Sequence, residues 1–126
     1  MQAAPSRRAA LQRGAAAEQL VASLLSQAGW SVLATNWRGG GGELDLVIAR
    51  DGVLRFVEVK ARKPHDPRDL EIITPTKQAR LSRAADAFLL QYGSAAREMC
   101  FLVAYVTCHP NADWTVEWID DAFDGV

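Results

Sequence analysis

The chain has 126 residues, a formal net charge of −1, 49% hydrophobic and 23% charged residues, a balance that excludes fibrous and strongly disordered classes. This length suits one compact unit, and we predict a single domain over residues 1–126 with frayed residues 1–5. No apolar run approaches the roughly 20 residues that cross a bilayer, and Arg13 and Glu18 interrupt any signal-peptide core. These features predict a cytoplasmic protein without a membrane partner.

The N-terminal half of the chain is predicted to hold a helix, a strand and a hairpin. Apolar residues at helical spacing predict a helix from Ser6 to Ala28. A strand follows from Trp30 to Trp37, and the glycine run from Gly39 to Gly42 predicts a flexible connection. Residues Glu43 to Arg62 predict a β-hairpin, because Asp51-Gly52 favours a tight turn between two alternating runs.

The C-terminal half is predicted to add a helix, two strands and a final helical turn. Thr74-Pro75 is a capping pair that begins a helix ending near Tyr92. Met99 to Cys108 predicts a buried strand, Trp114 to Trp118 a short strand, and Ile119 to Phe123 a last helical turn. The order α-β-β-β-α-β-β-α predicts an α/β sandwich in which helices flank a central mixed sheet.

Cysteines and charge narrow the function further. Cys100 and Cys108 lie at the two ends of one predicted strand, roughly 26 Å apart, which is beyond disulfide reach. With two histidines in the chain, no zinc-ligand spacing occurs. Basic residues exceed acidic residues in residues 1–83, and the reverse holds in residues 84–126. The basic part suits either an anionic partner such as nucleic acid or a solvated surface, and charge alone does not separate them.

The predicted hairpin carries charged residues that could form a catalytic site. Asp45 lies on its first strand, and Glu58 and Lys60 alternate with valines on its second, so pairing could bring the three together. Two close carboxylates repel unless a cation neutralises them, and Mg²⁺ often takes one or two carboxylates with water and phosphate. A lysine beside the metal can orient a water or stabilise charge on phosphate. The pattern predicts metal-assisted phosphodiester hydrolysis, with an exposed Glu58–Lys60 ion pair as the plainer alternative.

Further charged residues surround this hairpin in the sequence. Glu18 lies at the edge of the apolar stripe of the first helix, where it could point along the protein or simply into solvent. The basic residues predicted to contact the nucleic-acid backbone are Arg62, Lys63, Lys77, Arg80 and Arg83. The last three lie one turn apart and equally suit the solvent face of an amphipathic helix.

An ordered set of short segments is similar to the YraN family of small bacterial proteins. The segments are Gly14 to Glu18, Asn36-Trp37-Arg38, Gly42 to Val47, Phe56 to Arg62, Lys77 and Trp118 to Phe123. That family resembles the PD-(D/E)XK nuclease superfamily, and archaeal Holliday junction resolvases in particular. One stretch departs from the family pattern, because Met99-Cys100-Phe101-Leu102 stands where the family commonly has Arg-Phe-Asp-Val.

The resemblance implies a restriction-endonuclease-like three-layer sandwich that uses Mg²⁺ or Mn²⁺. Asp45 would match the Asp of the motif, Glu58 its second acid and Lys60 its lysine, with Asp45 and Glu58 as the metal ligands. Glu18 would match the extra glutamate that such resolvases carry on the first helix. The implied substrate is DNA, branched or damaged DNA included, and the implied assembly is a homodimer.

Two hypotheses follow from these residues. The first is a metal-dependent endonuclease acting on DNA. The second is a nuclease-like fold kept for binding, either a nucleic-acid-binding or a partner-binding module without turnover. The intact set of Asp45, Glu58 and Lys60 favours the first.

Overall fold

The structure, a computed structural model, describes residues 7–65, 73–93 and 98–120. Its elements are α1 (Arg7–Gln27), β1 (Ser31–Gly39), β2 (Gly42–Arg50), β3 (Val53–Arg62), α2 (Pro75–Tyr92), β4 (Glu98–Thr107) and β5 (Thr115–Asp120). The strands form one sheet in sequence order. Strands β3 and β4 pair in parallel, with α2 in the crossover, and the other neighbours pair antiparallel. The predicted α/β sandwich around a mixed sheet is confirmed.

The two helices cover opposite faces of the sheet and create two cores. Ala17 and Val21 of α1 pack against one face, and Ala84 and Phe88 of α2 pack against the other. The strand residues facing α1 include Leu46, Ile48, Val57, Leu102 and Val106, and those facing α2 include Leu44, Val47, Phe56 and Val103. A sheet buried on both faces can place a charged residue only where a partner or a groove receives it.

Helix α2 begins and ends as the sequence predicts. The Thr74 side-chain oxygen accepts a hydrogen bond from the Lys77 backbone N–H at 3.2 Å, and Pro75 occupies the first turn. At the other end, the Gly93 N–H donates to the Leu89 carbonyl at 2.9 Å. This cap fixes the start of α2, and with it Lys77, beside the sheet.

The glycine run between β1 and β2 forms a tight turn, because Gly39 ends β1, Gly42 begins β2 and the two residues pair. Gly40 and Gly41 have φ values of 62° and 82°, a region that glycine occupies without strain. A Cβ on Gly40 would lie 2.5 Å from the Arg83 carbonyl oxygen, and a Cβ on Gly42 would lie 2.5 Å from the Arg80 carbonyl oxygen. The glycines are therefore needed for close contact, and they dock this turn onto α2.

The predicted C-terminal helical turn is wrong where the structure describes it. Ile119 and Asp120 belong to β5, and they pair with Val103 and Leu102 of β4. Residues in this segment, such as Val116, are β-branched and favour a strand once β4 offers a free edge. Residues 121–123 of the predicted turn, like residues 1–5, lie outside the described residues.

Neither Cys100 nor Cys108 is part of a disulfide bond, which agrees with the prediction of reduced thiols. Within the described residues, neither helix combines the length and apolar character that crossing a bilayer requires. Part of the predicted basic excess is neutralised internally, because Arg55 pairs with Asp120 at 2.9 Å and Arg62 with Glu117 at 3.4 Å.

Candidate active site

The paired part of the central hairpin ends immediately before the two predicted acids. The ladder between β2 and β3 runs from Arg50 and Val53 at the turn to Leu46 and Val57. Asp45 and Glu58 are the next residues on their strands. The Val59 backbone N–H donates a 2.8 Å hydrogen bond to Asp45 Oδ2, so a carboxylate satisfies this donor where the ladder stops. The site therefore opens where the strands separate.

Glu58 is a buried carboxylate with a basic partner. Alternation along β3 places it on the α2 face with Phe56, which belongs to the α2 core. Glu58 is 8% exposed, and a carboxylate at that depth requires a partner. Lys77 of α2 supplies it, with Nζ 2.7 Å from Glu58 Oε1. The sequence predicted that Lys77 contacts the nucleic-acid backbone, whereas the structure places it at the carboxylate site.

The two acids share an environment that disfavours two negative charges. Burial and the charge of Glu58 raise the pKa of Asp45 to about 7, with a smaller contribution from Glu18. The hydrogen bond from Val59 opposes this shift, whereas a hydrogen bond between the two carboxyl groups reinforces it. Asp45 and Glu58 are thus close enough to share a proton. A cation between them would offset the Glu58 charge, which is the second cause of the shift after burial.

Lys77 links the acids to Lys60. Burial acts to lower the pKa of Lys77, but hydrogen bonds with Glu58 and Lys60 and the charges of Glu58 and Asp45 outweigh it, so the pKa is raised. Lys60 shares the α2 face of β3 with Glu58, two residues away. The structure therefore brings together Asp45, Glu58 and Lys60, as the hairpin pattern predicted, and adds Lys77.

Glu18 faces the acids from α1. Burial raises its pKa, a hydrogen bond from Asn36 lowers it, and the charges of Glu43 and Glu58 raise it further. Of the two alternatives for Glu18, the structure supports the one in which it points along the protein. Its carboxylate lies close enough for the charge of Glu58 to raise its pKa, and it accepts a hydrogen bond from Asn36.

Asn36 is a site residue that sequence reasoning missed. It has a φ of 48° within β1, and its neighbours Thr35 and Trp37 pair with Leu46 and Leu44, so it lies opposite Asp45. Left-handed backbone is uncommon outside glycine, and asparagine tolerates it best. An asparagine inside an otherwise strand-forming run was the available signal.

The acids lie in a groove of about 980 Å³ between the β1–β2 turn and the start of α2. Its lining comprises Arg38, Gly39, Gly41, Gly42, Glu43, Asp45, Glu58, Thr74, Thr76, Lys77, Arg80 and Leu81. Arg38 pairs loosely with Glu43 at 3.6 Å, and the Arg38 side chain is 81% exposed. The groove thus has two carboxylates, Asp45 and Glu58, with the basic residues Arg38, Lys77 and Arg80 around them.

The other predicted basic residues lie elsewhere. The Arg62 side chain donates hydrogen bonds to two neighbouring strands, to Thr107 of β4 at 3.2 Å and to Glu117 of β5 at 3.4 Å. Arg83 is exposed on α2 and does not line the groove. Lys63 lines a separate pocket. Of the five residues, Lys77 and Arg80 alone line the carboxylate groove.

The donor set limits how a metal ion could be held. In the described part of the chain, no three or more His, Cys, Asp and Glu side chains converge tightly enough to hold one. Asp45 and Glu58 nevertheless provide hard oxygen donors whose mutual repulsion a divalent cation would relieve. This set fits Mg²⁺ or Mn²⁺, which can bind through two carboxylates and complete their shells with water and phosphate.

Comparison with known proteins places the site inside a matched region. Residues 17–106 match the model of "Uncharacterised protein family UPF0102". A UPF0102 protein of Synechococcus sp. (strain JA-3-3Ab) is 40% identical over 124 residues, covering 96% of this chain and 95% of the relative. UPF0102 proteins of Gloeobacter violaceus and Symbiobacterium thermophilum are 44% and 37% identical, covering 86% and 87% of this chain and 90% and 94% of the relatives. The match includes Glu18, Asp45, Glu58, Lys60 and Lys77.

Proposed function

Given that the chain belongs to the uncharacterised protein family UPF0102, we propose that it is a metal-dependent endonuclease that hydrolyses phosphodiester bonds in DNA. The observation that supports this most is that Asp45 and Glu58 come together where β2 and β3 separate, with Lys60 on the same face of β3 as Glu58. Two carboxylates in a groove with basic residues along its sides, and a lysine next to them on β3, suit phosphoryl chemistry. The resemblance to PD-(D/E)XK nucleases points to the same reaction.

In this proposal Asp45 and Glu58 hold Mg²⁺ or Mn²⁺, and Glu18 supports them from α1. The bound cation would make water a better nucleophile and offset negative charge on the phosphate. Lys60 donates a hydrogen bond to a phosphate oxygen as negative charge builds on it. Hydrolysis adds water across one P–O bond: the water oxygen joins phosphorus, and a water proton goes to the leaving oxygen.

The groove walls hold the DNA backbone. Arg38 and Arg80 line the groove and can neutralise phosphates on either side of the scissile one. Lys77, which pairs with Glu58 at 2.7 Å, would be available to a phosphate oxygen if Glu58 held a cation instead. Such contacts position a strand without reading its sequence, so the proposal favours selection by DNA shape, with branched or damaged DNA among the substrates.

We also propose a cytoplasmic location and a homodimeric assembly. The cytoplasmic location is the one that the sequence features predict. Symmetric cleavage of two strands requires two active sites, so a homodimer with two-fold symmetry is part of the proposal. Sedimentation equilibrium with and without a four-way junction measures this assembly directly.

Cleavage assays test the proposed activity. Linear, nicked and four-way-junction DNA labelled at one end are incubated with Mg²⁺, Mn²⁺ or EDTA. We expect products with either metal and none with EDTA, and a loss of about 100-fold or more in Asp45→Asn and Lys60→Met. Asp51→Asn is the matched control, because Asp51 lies at the turn of the same hairpin. Cleavage unchanged in Asp45→Asn would overturn the proposal.

A second candidate function is a binding module without turnover. Two observations favour it: Glu58 is already neutralised by Lys77 at 2.7 Å, and three metal-ligating side chains do not converge among the described residues. This candidate predicts DNA binding that weakens with salt, no metal-dependent product, and little effect of Lys60→Met on binding. Absence of Mn²⁺ binding in calorimetry of the folded protein would favour it over the enzyme.

A further inference from the structure

A second pocket lies at the same end of the sheet as the acids, on the opposite face. It has a volume of about 570 Å³ and is lined by Arg13, Lys63, Pro64, Cys108, His109, Pro110 and Trp114. Lys63 directly follows β3, the strand that carries Glu58 and Lys60. Arg13 comes from α1, and Trp114 packs against the core on the α1 face. The carboxylate groove, by contrast, is walled by α2.

The lining of this pocket is basic and aromatic. Arg13 and Lys63 supply two positive charges, and the lining residues, all from the described part of the chain, include no Asp or Glu. Burial raises the pKa of the Cys108 thiol, so this group stays neutral. His109 lies 3.1 Å from the Thr115 hydroxyl, which fixes its ring beside the pocket. The pocket therefore favours an anionic ligand with a flat apolar part.

A nucleotide has this combination of groups. Its phosphate suits a pair of basic side chains, and its base suits stacking on an indole ring, which is how proteins bind unpaired strands. The volume lies within the range of pockets that enclose small ligands. Lys63 is three residues beyond Lys60, or roughly 10 Å along an extended chain, so one DNA strand could reach both sites.

The path between the two sites restricts the DNA. A strand held in the groove on the α2 face must pass around the end of the sheet to reach the pocket on the α1 face. Duplex DNA resists bending over distances of a few base pairs, whereas an unpaired strand turns freely. We propose that this pocket binds an unpaired nucleotide of the strand held in the groove, which makes branched or splayed DNA the preferred partner. The inference rests on the proposed function only in taking DNA as the partner.

The test is a binding measurement without catalysis. Fluorescence anisotropy in EDTA compares a blunt duplex with the same duplex carrying an unpaired thymidine tail. We expect the tailed duplex to bind about tenfold more tightly. The double variant Arg13→Gln/Lys63→Gln should lose this preference while its affinity for the blunt duplex stays within about threefold. Arg8→Gln, a basic residue of α1 outside both linings, is the matched control.

The aromatic part of the pocket has its own variants. Trp114→Ala should abolish the preference for the tail, and Trp114→Phe should restore most of it, because phenylalanine keeps a stacking face. Circular dichroism checks that each variant is folded. If Trp114→Ala does not fold, the double variant Arg13→Gln/Lys63→Gln still tests the pocket. Equal binding of blunt and tailed duplexes would overturn this inference alone. Failure to bind either DNA would overturn the proposed function as well.

Discussion

At the level of single residues, the ion pair between Glu58 and Lys77 compensates the charge of a buried carboxylate. The two atoms are 2.7 Å apart, and Glu58 is largely withdrawn from water. Removing one partner of such a pair leaves a buried charge uncompensated, which is costly. Lys77 thus supplies the positive charge beside Glu58, and the metal ion of the proposed function would have to compete with it.

This competition gives a prediction about metal affinity. In Lys77→Gln, Mn²⁺ no longer displaces an ammonium group, so we expect calorimetry to show binding about tenfold tighter than in the wild type. The same variant should bind DNA more weakly, and the slope of the logarithm of its affinity against the logarithm of salt concentration should fall by about one. Arg83→Gln, on the same helix but outside the groove, should leave Mn²⁺ affinity unchanged. Weaker Mn²⁺ binding in Lys77→Gln would contradict this account.

The raised pKa of Asp45 gives a prediction about pH and stability. Burial and the Glu58 charge raise it to about 7 from the ordinary 3.8, so the folded state holds a proton that the unfolded state has lost. The resulting stabilisation is complete below about pH 4 and is lost as pH rises through about 7. In EDTA, the free energy of unfolding should therefore fall over this window.

Asp45→Asn should remove this fall, because asparagine has no proton to lose and its amide oxygen can still accept from Val59. We expect the variant to be more stable than the wild type at pH 8 in EDTA by an amount on the order of a few kcal/mol, and the two to differ little near pH 4. Urea unfolding at several pH values measures this. A parallel decline with pH in both proteins would assign the titration to other groups.

At the level of elements, the β1–β2 turn and α2 form one unit around the groove. Gly42→Ala places a methyl carbon against the Arg80 carbonyl, so we expect a loss of about 1–3 kcal/mol in thermal or chemical unfolding, together with a shift of the groove wall. Gly14→Ala is the control, because nothing lies within 4 Å of its Cβ position in α1. That variant should stabilise the protein by about 0.5–1 kcal/mol. Equal effects of the two substitutions would show that contact with α2 is unimportant.

Local patterns explain which elements the sequence could predict. The central hairpin follows from alternating residues and the Asp51-Gly52 turn, and α2 follows from the Thr74-Pro75 cap, because these signals lie within a few residues. The docking of Gly40 and Gly42 onto α2 depends on a contact some forty residues away and left no local signal. The strand assignment of Ile119 and Asp120 likewise depended on the free edge of β4.

At the level of the whole molecule, the fold gathers residues from five elements, α1, β1, β2, β3 and α2, at one end of the sheet. Period-two alternation was enough to predict that Asp45, Glu58 and Lys60 converge, whereas the Lys77–Glu58 pair required knowledge of how α2 crosses the sheet. Arg62 was predicted to contact DNA, but its guanidinium donates hydrogen bonds to Thr107 and Glu117. These partners lie on β4 and β5, and local sequence patterns do not show how β3, β4 and β5 pair. The same end of the sheet carries the carboxylate groove on one face and the basic aromatic pocket on the other.

The proposed function depends most on whether Asp45 and Glu58 together bind a divalent metal ion. A crystal grown with Mn²⁺ and measured for anomalous scattering tests this most directly. We expect one anomalous peak between these two carboxylates, with Lys77 withdrawn from Glu58. A structure without a peak there, in which Lys77 still contacts Glu58 under conditions that saturate other Mn²⁺ enzymes, would contradict it.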